Sequence, residues 1–180
     1  QLYAPQKEHI YVIGDFNNWT PTAPYHMNLS TNNATWWLEI TGLTAGQKYG
    51  YQYFIDGTKK FADPLSSLIL DPNNDGNISA ATNPNPLPYP TGQTTGFVSV
   101  FQPGATPYNW QNTSFQGPAK KDLVIYELLV RDFVAKHNYQ TLIDTLSYLD
   151  ELGINVIELM PPGEFENNES WGYNPSFHKA

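Results

Sequence analysis

A chain of 180 residues with 9 Lys+Arg against 17 Asp+Glu and a net charge of -8 offers no electrostatic footprint for nucleic acid or for an anionic membrane surface. Its hydrophobic content of 40% and its 0 cysteines require a folded core held without disulfides or thiolate-bound metal. The length allows one full domain of about 100 residues and part of another, and no stretch reaches the roughly 18 apolar residues of a membrane helix.

From the N-terminus the chain reads as short strands between turns. His9 to Ile13 alternates, with Ile10 and Val12 on one face, and runs into Gly14-Asp-Phe-Asn-Asn-Trp19, whose Gly and Asn residues favour a turn. Thr35 to Ile40 alternates again. Period two puts Trp36, Leu38 and Ile40 on one face and Trp37 and Glu39 on the other. A turn at Gly42 to Gly46 leads into Lys48 to Asp56, with Tyr49, Tyr51, Tyr53 and Ile55 sharing a face, and Asp56-Gly57 is a hairpin signal. Turns about every ten residues predict an all-β sandwich over residues 1–82.

Residues 83–120 read as a connector. Asn83 to Pro90 holds a proline at every second position, which removes donors and fixes φ, so a semi-rigid spacer is expected, interrupted by one strand from Phe97 to Phe101. After Lys121 the pattern changes. Asp122 to Val130 is nearly continuously apolar, as in a strand buried on both faces of a parallel sheet. Asn138 is placed to cap a helix whose stripe is Leu142, Ile143, Leu146, Leu149 and Leu152, and Gly153 stands at its C-terminal cap. Ile154 to Met160 is a second strand, stopped by Pro161-Pro162. Together these predict a right-handed βαβ unit followed by an elaborate loop over residues 121–180. Two strands and one helix cannot cover both faces of a parallel sheet, so apolar surface, self-association or disorder is expected beyond about residue 120.

Chemistry-bearing patterns are sparse. His9, His26, His137 and His178 are scattered without helical metal-ligand spacing. Asp71-Pro-Asn-Asn-Asp75-Gly76 begins like a calcium loop, but Thr82 stands where a bidentate Glu is needed. No metal site and no cofactor are expected. Glu164, Glu166 and Glu169 fall in one loop, whereas paired catalytic carboxylates are held on rigid elements, so they read as solvated loop residues. Glu127 and Glu158 lie within the two apolar strands, where a salt bridge or a place at a barrel mouth would account for them. The 12 Tyr, 5 Trp and 9 Phe suit sugar rings but also suit a sandwich core.

Several motifs carry a resemblance. Gly14-Asp-Phe-Asn-Asn-Trp19, Trp36 ahead of Ile40-Thr-Gly-Leu43, Tyr51-Gln-Tyr-Phe-Ile-Asp-Gly57 and Ala62-Asp-Pro64 resemble the isoamylase-type N-terminal domain, an immunoglobulin-like early-set sandwich related to carbohydrate-binding module family 48. Val124-Ile-Tyr-Glu-Leu128, Leu149-Asp-Glu-Leu-Gly153, Ile157-Glu-Leu-Met-Pro161 and Ser170-Trp-Gly-Tyr-Asn-Pro175 resemble the opening of the (β/α)8 TIM barrel of glycoside hydrolase family 13, the α-amylase superfamily. The resemblance implies part of a retaining enzyme acting on α-glucans such as starch, glycogen or pullulan. It also implies that the three catalytic carboxylates lie on later barrel strands, so the chain alone is expected to hydrolyse nothing.

Tyr173 matches the tyrosine that stacks on sugar at the cleavage subsite, with Trp171 beside it. Trp19 matches a glycan-stacking tryptophan of glycogen-binding relatives, and Trp37 is a second sandwich candidate from its face alone. Gln52 stands where such binders commonly carry a lysine, and Thr58-Lys59-Lys60 where they carry an aromatic. A non-catalytic glycan-binding module or a purely structural sandwich is the alternative reading. An extracytoplasmic (periplasmic or secreted) location fits the Asn/Thr/Tyr-rich, cysteine-free composition.

Overall fold

A computed structural model describes residues 1–167 and 169–180. It divides into two compact units, one of residues 1–76, 87–106 and 177–180, the other of residues 77–86 and 107–176.

The first unit is built of antiparallel strands. Strands β1 (Leu2–Tyr3), β4 (Thr35–Trp37) and β3 (Asn28–Leu29) form one small sheet in that order. Strands β2 (Ile10–Gly14), β5 (Tyr49–Ile55), β8 (Val98–Phe101) and β7 (Ile69–Leu70) form the other, with β6 (Lys59–Phe61) also paired to β5. The turn between β5 and β6 places Asp56 at φ 49 and Gly57 at φ 69, the positive pair that a tight hairpin twist demands. The two sheets bury a common core of Ile10, Val12, Met27, Trp36, Tyr53 and Ile55, with Leu2, Leu38 and Ile40 packed against it. Period two is therefore obeyed: Trp36 is 3% exposed and Trp37 44%. This is a sandwich of antiparallel sheets, mainly β.

The larger sheet is covered on its second face as well. Ile13, Trp19, Leu70, Val98 and Val100 form a second core, against which Phe54, Leu87 and Tyr89 pack. The strand expected inside a connector is β8, which pairs with both β5 and β7. The proline-rich stretch ahead of it is no spacer over residues 87–97. Its prolines keep it out of the ladder, so it crosses the sheet as a cover instead. Gln52, completely buried, ties it down: Nε2 donates to the carbonyls of Thr95 at 2.9 Å and Phe97 at 2.7 Å. Thr94 Oγ1 in turn donates to Gln52 Oε1 at 2.5 Å.

The second unit contains a parallel pair, β9 (Ile125–Leu128) and β10 (Val156–Leu159), in register with Glu127 opposite Glu158. Between them run the short helices α1 (Val130–Phe133), α2 (Tyr139–Asp144) and α3 (Leu146–Glu151). Asn138 caps α2, its Oδ1 accepting from the Thr141 N–H at 2.9 Å. Gly153, at φ 79, closes α3: its N–H bonds the Asp150 carbonyl, and the next N–H, of Ile154, bonds the Leu149 carbonyl, the paired bonds of a Schellman cap.

Two expectations change here. The single helix is broken at Thr145, whose Oγ1 donates to the Thr141 carbonyl at 2.7 Å and competes with regular helix propagation. Only Leu142 and Leu149 of the predicted stripe are buried, against Tyr126, Leu128 and Ile157, while Ile143, Leu146 and Leu152 are exposed. The strands are likewise covered on the helix side alone; Ile125, Glu127 and Glu158 lie on the other side and are exposed.

Candidate functional site

Consider first the Gly14-Asp-Phe-Asn-Asn-Trp19 turn. Asn17 closes it, accepting from the Gly14 N–H at 2.9 Å and donating to the Val12 carbonyl at 2.9 Å. Asp15 fastens it to β5: Oδ2 accepts from the Gly50 N–H at 2.6 Å, and Oδ1 accepts from Trp19 Nε1 at 3.2 Å. A Cβ on Gly14 would overlap the Gly50 carbonyl oxygen, so only glycine lets the two strands approach there. Trp19 is 5% exposed and packs in the second core. In the structure this motif is thus a structural staple, and its tryptophan has no open face to offer a sugar. Gln52 and the cover segment occupy the side of the sheet on which Trp19 packs.

Trp37 stands differently. It projects from the outer face of the small sheet, opposite Asn28 and two residues from Thr35, which itself faces Tyr3 across the β1–β4 pair. Tyr3 is 73% exposed. Sequence reading missed Tyr3, because a two-residue strand offers no periodicity to detect.

Asp63, from Ala62-Asp-Pro64, is a second structural anchor. Its Oδ2 accepts from the hydroxyls of Tyr51 and Tyr53, both at 2.9 Å, and its N–H donates to Ser99 Oγ at 2.7 Å. Burial, and then the Asp63 charge, push both phenols well above the ordinary tyrosine range. Asp71 and Asp75 fold a polar turn on themselves, with the Asp71 N–H donating to Asp75 Oδ2 at 2.9 Å. Among the described residues no group of His, Asp and Glu is arranged to hold a metal ion, and no helix is long and apolar enough to cross a membrane.

In the second unit the chemistry gathers at the C-terminal ends of β9 and β10. The Tyr173 hydroxyl donates to Glu127 Oε1 at 2.8 Å. That bond, with some burial and the charges of Glu127 and Glu158, raises the phenol above its ordinary value. Arg131 Nε donates to Asp132 Oδ1 at 2.9 Å, and the guanidinium also reaches the Ser170 carbonyl at 3.0 Å. The Arg131 bond holds the Asp132 carboxyl below the usual range. The loop that carries Tyr173 is pinned at its base by the pairing of Phe165 with Pro175.

Gly172 is its tightest point, since it sits at φ 89 and a Cβ there would overlap the Pro161 carbonyl oxygen. An open depression of about 400 Å³ lies alongside, lined by Glu127, Leu129, Asp132, Met160 and Trp171. Trp171 and Tyr173 are 65% and 62% exposed, so their ring faces are accessible. The sequence singled out these two aromatics; it did not reveal that Glu127 meets Tyr173, because a contact across 46 residues has no local signal.

The model of carbohydrate-binding module 48, the isoamylase N-terminal domain, matches residues 1–74. Residues 1–74 are therefore similar to an isoamylase N-terminal domain. The match agrees with the resemblance, drawn from the motifs, to the N-terminal region of glycoside hydrolase family 13. The chain is 31% identical to a 1,4-alpha-glucan branching enzyme of Cupriavidus pinatubonensis, over 97% of this chain and 23% of that protein. It is also 31% identical to the chloroplastic isoamylase SU1 of Zea mays, over 86% of this chain and 22% of the relative.

A putative alpha amylase from Salmonella typhimurium shares the fold, with a TM-score of 0.67, 22% identity, and coverage of 97% of this chain and 24% of that one. The chain thus spans about a quarter of the length of the curated relatives it matches. Within residues 1–74, the motifs that carry the similarity are the ones that staple the fold: Asp15, Asn17, Trp19 and Asp63 all spend their polar atoms inside it.

Proposed function

We propose that this chain is the N-terminal part of a retaining enzyme acting on α-glucans, in which the isoamylase N-terminal domain precedes a (β/α)8 barrel and β9 and β10 are that barrel's first two strands. The observation that carries the reading is the hydrogen bond from Tyr173 to Glu127. It sets the Trp-Gly-Tyr loop over the C-terminal ends of two parallel strands, the end at which such barrels build their sites. The Tyr173 phenol is tethered by its oxygen while its ring remains largely exposed. A ring held that way offers a flat apolar face to the C–H side of a glucose unit, and Trp171 borders the adjoining depression. The open side of the pair, bearing Glu127 and Glu158, is the side that would face the barrel interior. The sequence contains none of the carboxylates that the resemblance assigns to bond cleavage, so the chain alone is expected to bind without cleaving.

The test is an assay of the protein that carries this chain together with its following sequence, on amylopectin, glycogen and maltoheptaose. New reducing ends indicate hydrolysis; a shifted iodine spectrum without them indicates branching. Tyr173→Ala is expected to lower kcat/KM at least about tenfold, by removing an aromatic contact at the reacting unit. Absence of any α-glucan turnover in the unmodified protein would overturn the proposal.

A further inference from the structure

The Trp-Gly-Tyr loop is gripped at both ends by residues from the first parallel strand and the helix that follows it. Arg131, in α1, donates from its guanidinium to the carbonyl of Ser170, the residue ahead of Trp171, at 3.0 Å. Glu127, in β9, accepts from the hydroxyl of Tyr173 at the other end, at 2.8 Å. Asp132 sets the direction of the guanidinium, accepting from Arg131 Nε at 2.9 Å. Between the two grips Gly172 is buried and lies too close to the Pro161 carbonyl oxygen for any side chain. The loop is also bonded within itself: the Gly172 N–H donates to Ser170 Oγ at 3.1 Å, and the Ser170 hydroxyl meets Asn174 Oδ1. A shift at Ser170 is therefore carried to the residues on either side of Tyr173.

We propose that Glu127 and Arg131 are positioning residues for the α-glucan reaction, which clamp this loop so that the Tyr173 ring is already set for the glucose unit being cleaved. Both grips include a full charge, and such hydrogen bonds are shorter and stronger than neutral ones. They are needed because the rings of Trp171 and Tyr173 are largely exposed and have little packing of their own to fix them. Neither Glu127 nor Arg131 belongs to the core cluster of this unit, which is Leu128, Leu142 and Leu149 with its apolar neighbours. Exposed charges of this kind contribute little to stability, so what the clamp supplies is orientation. A ring fixed beforehand loses no freedom on binding, and a misplacement of about 1 Å at a reacting centre lowers the rate severely.

This inference rests on the α-glucan reading and adds to it two residues that act through the loop. The test is steady-state kinetics on maltoheptaose with the protein that carries this chain and its following sequence. The variants are Glu127→Ala, Glu127→Gln, Arg131→Ala, Tyr173→Phe and the pair Glu127→Ala/Tyr173→Phe, with thermal melts to confirm folding. Glu127→Ala and Arg131→Ala are expected to lower kcat about tenfold while KM moves less than about threefold, since the rest of the substrate is still bound. Glu127→Gln keeps an acceptor for the phenol and should recover most of the loss. Glu127→Ala should cost nothing further in the Tyr173→Phe background, where the bond is already gone. Turnover by the unmodified protein with both alanine variants within about twofold of it overturns the clamp and leaves the α-glucan reading in place. So does Glu127→Gln as damaging as Glu127→Ala, because the carboxylate would then act on the substrate itself. A full loss from Glu127→Ala in the Tyr173→Phe background overturns it as well. No turnover in the unmodified protein removes the reading and the clamp together.

Discussion

Gln52 should be the most damaging polar position in the sandwich to replace, and Gln52→Met the substitution that shows why. The side chain is completely buried and satisfies three partners on the cover segment: the carbonyls of Thr95 and Phe97 and the hydroxyl of Thr94. Methionine nearly conserves its volume, so the cavity contribution is small. What remains is the desolvation of partners left without a bond. A buried unsatisfied group costs about 1–3 kcal/mol. Thr94 keeps a bond from Lys60 Nζ, and Thr95 is exposed, so its carbonyl can turn to water; the half-buried Phe97 carbonyl dominates, and the expected loss is about 1–3 kcal/mol.

Gln52→Ala adds a cavity and should lose about 1–2 kcal/mol more. Urea unfolding followed by tryptophan fluorescence measures the shift, and hydrogen exchange should locate the new opening at residues 87–97. A Gln52→Met protein within about 0.5 kcal/mol of the unmodified chain, with residues 94–97 still protected, would refute the reasoning.

Gly172→Ala should dislodge the loop, because the added carbon overlaps the Pro161 carbonyl oxygen at a φ of 89; loss of exchange protection at residues 170–176 with an unchanged sandwich melt is the expected outcome. Glu127→Gln removes the hydrogen-bonded charge that raises the Tyr173 phenol, so ultraviolet difference titration should show one tyrosine ionising at lower pH, and the change should vanish in a Tyr173→Phe background. Tyr51 and Tyr53 have folded-state pKa values raised by burial and by Asp63. Their contribution is complete below the unfolded phenol value, about 10, and is lost as pH rises beyond it; Tyr53→Phe should flatten the alkaline fall in stability measured by thermal melts between neutral pH and strong base.

Much of this protein was determined by local pattern. Period-two alternation sorted Trp36 inward and Trp37 outward because a pleated strand admits only two sides. Asn138 and Gly153 marked helix ends because unsatisfied backbone groups demand a capping oxygen at one end and a positive φ at the other. The motifs also pointed to the family whose model matches residues 1–74.

Tertiary structure decided the rest, wherever the partner lay far along the chain. Nothing adjacent to Gln52 says that it will anchor residues 94–97, more than 40 positions away, or that a proline-rich stretch will become the cover of a sheet. Trp19 reads as a binding tryptophan until Asp15 and the second core enclose it. Tyr3 becomes a surface residue of interest only when β1 pairs with β4. Alternation can say that a side chain leaves one face of a strand; it cannot say what will pack upon the other, because burial is set by the segments that arrive there from elsewhere in the sequence.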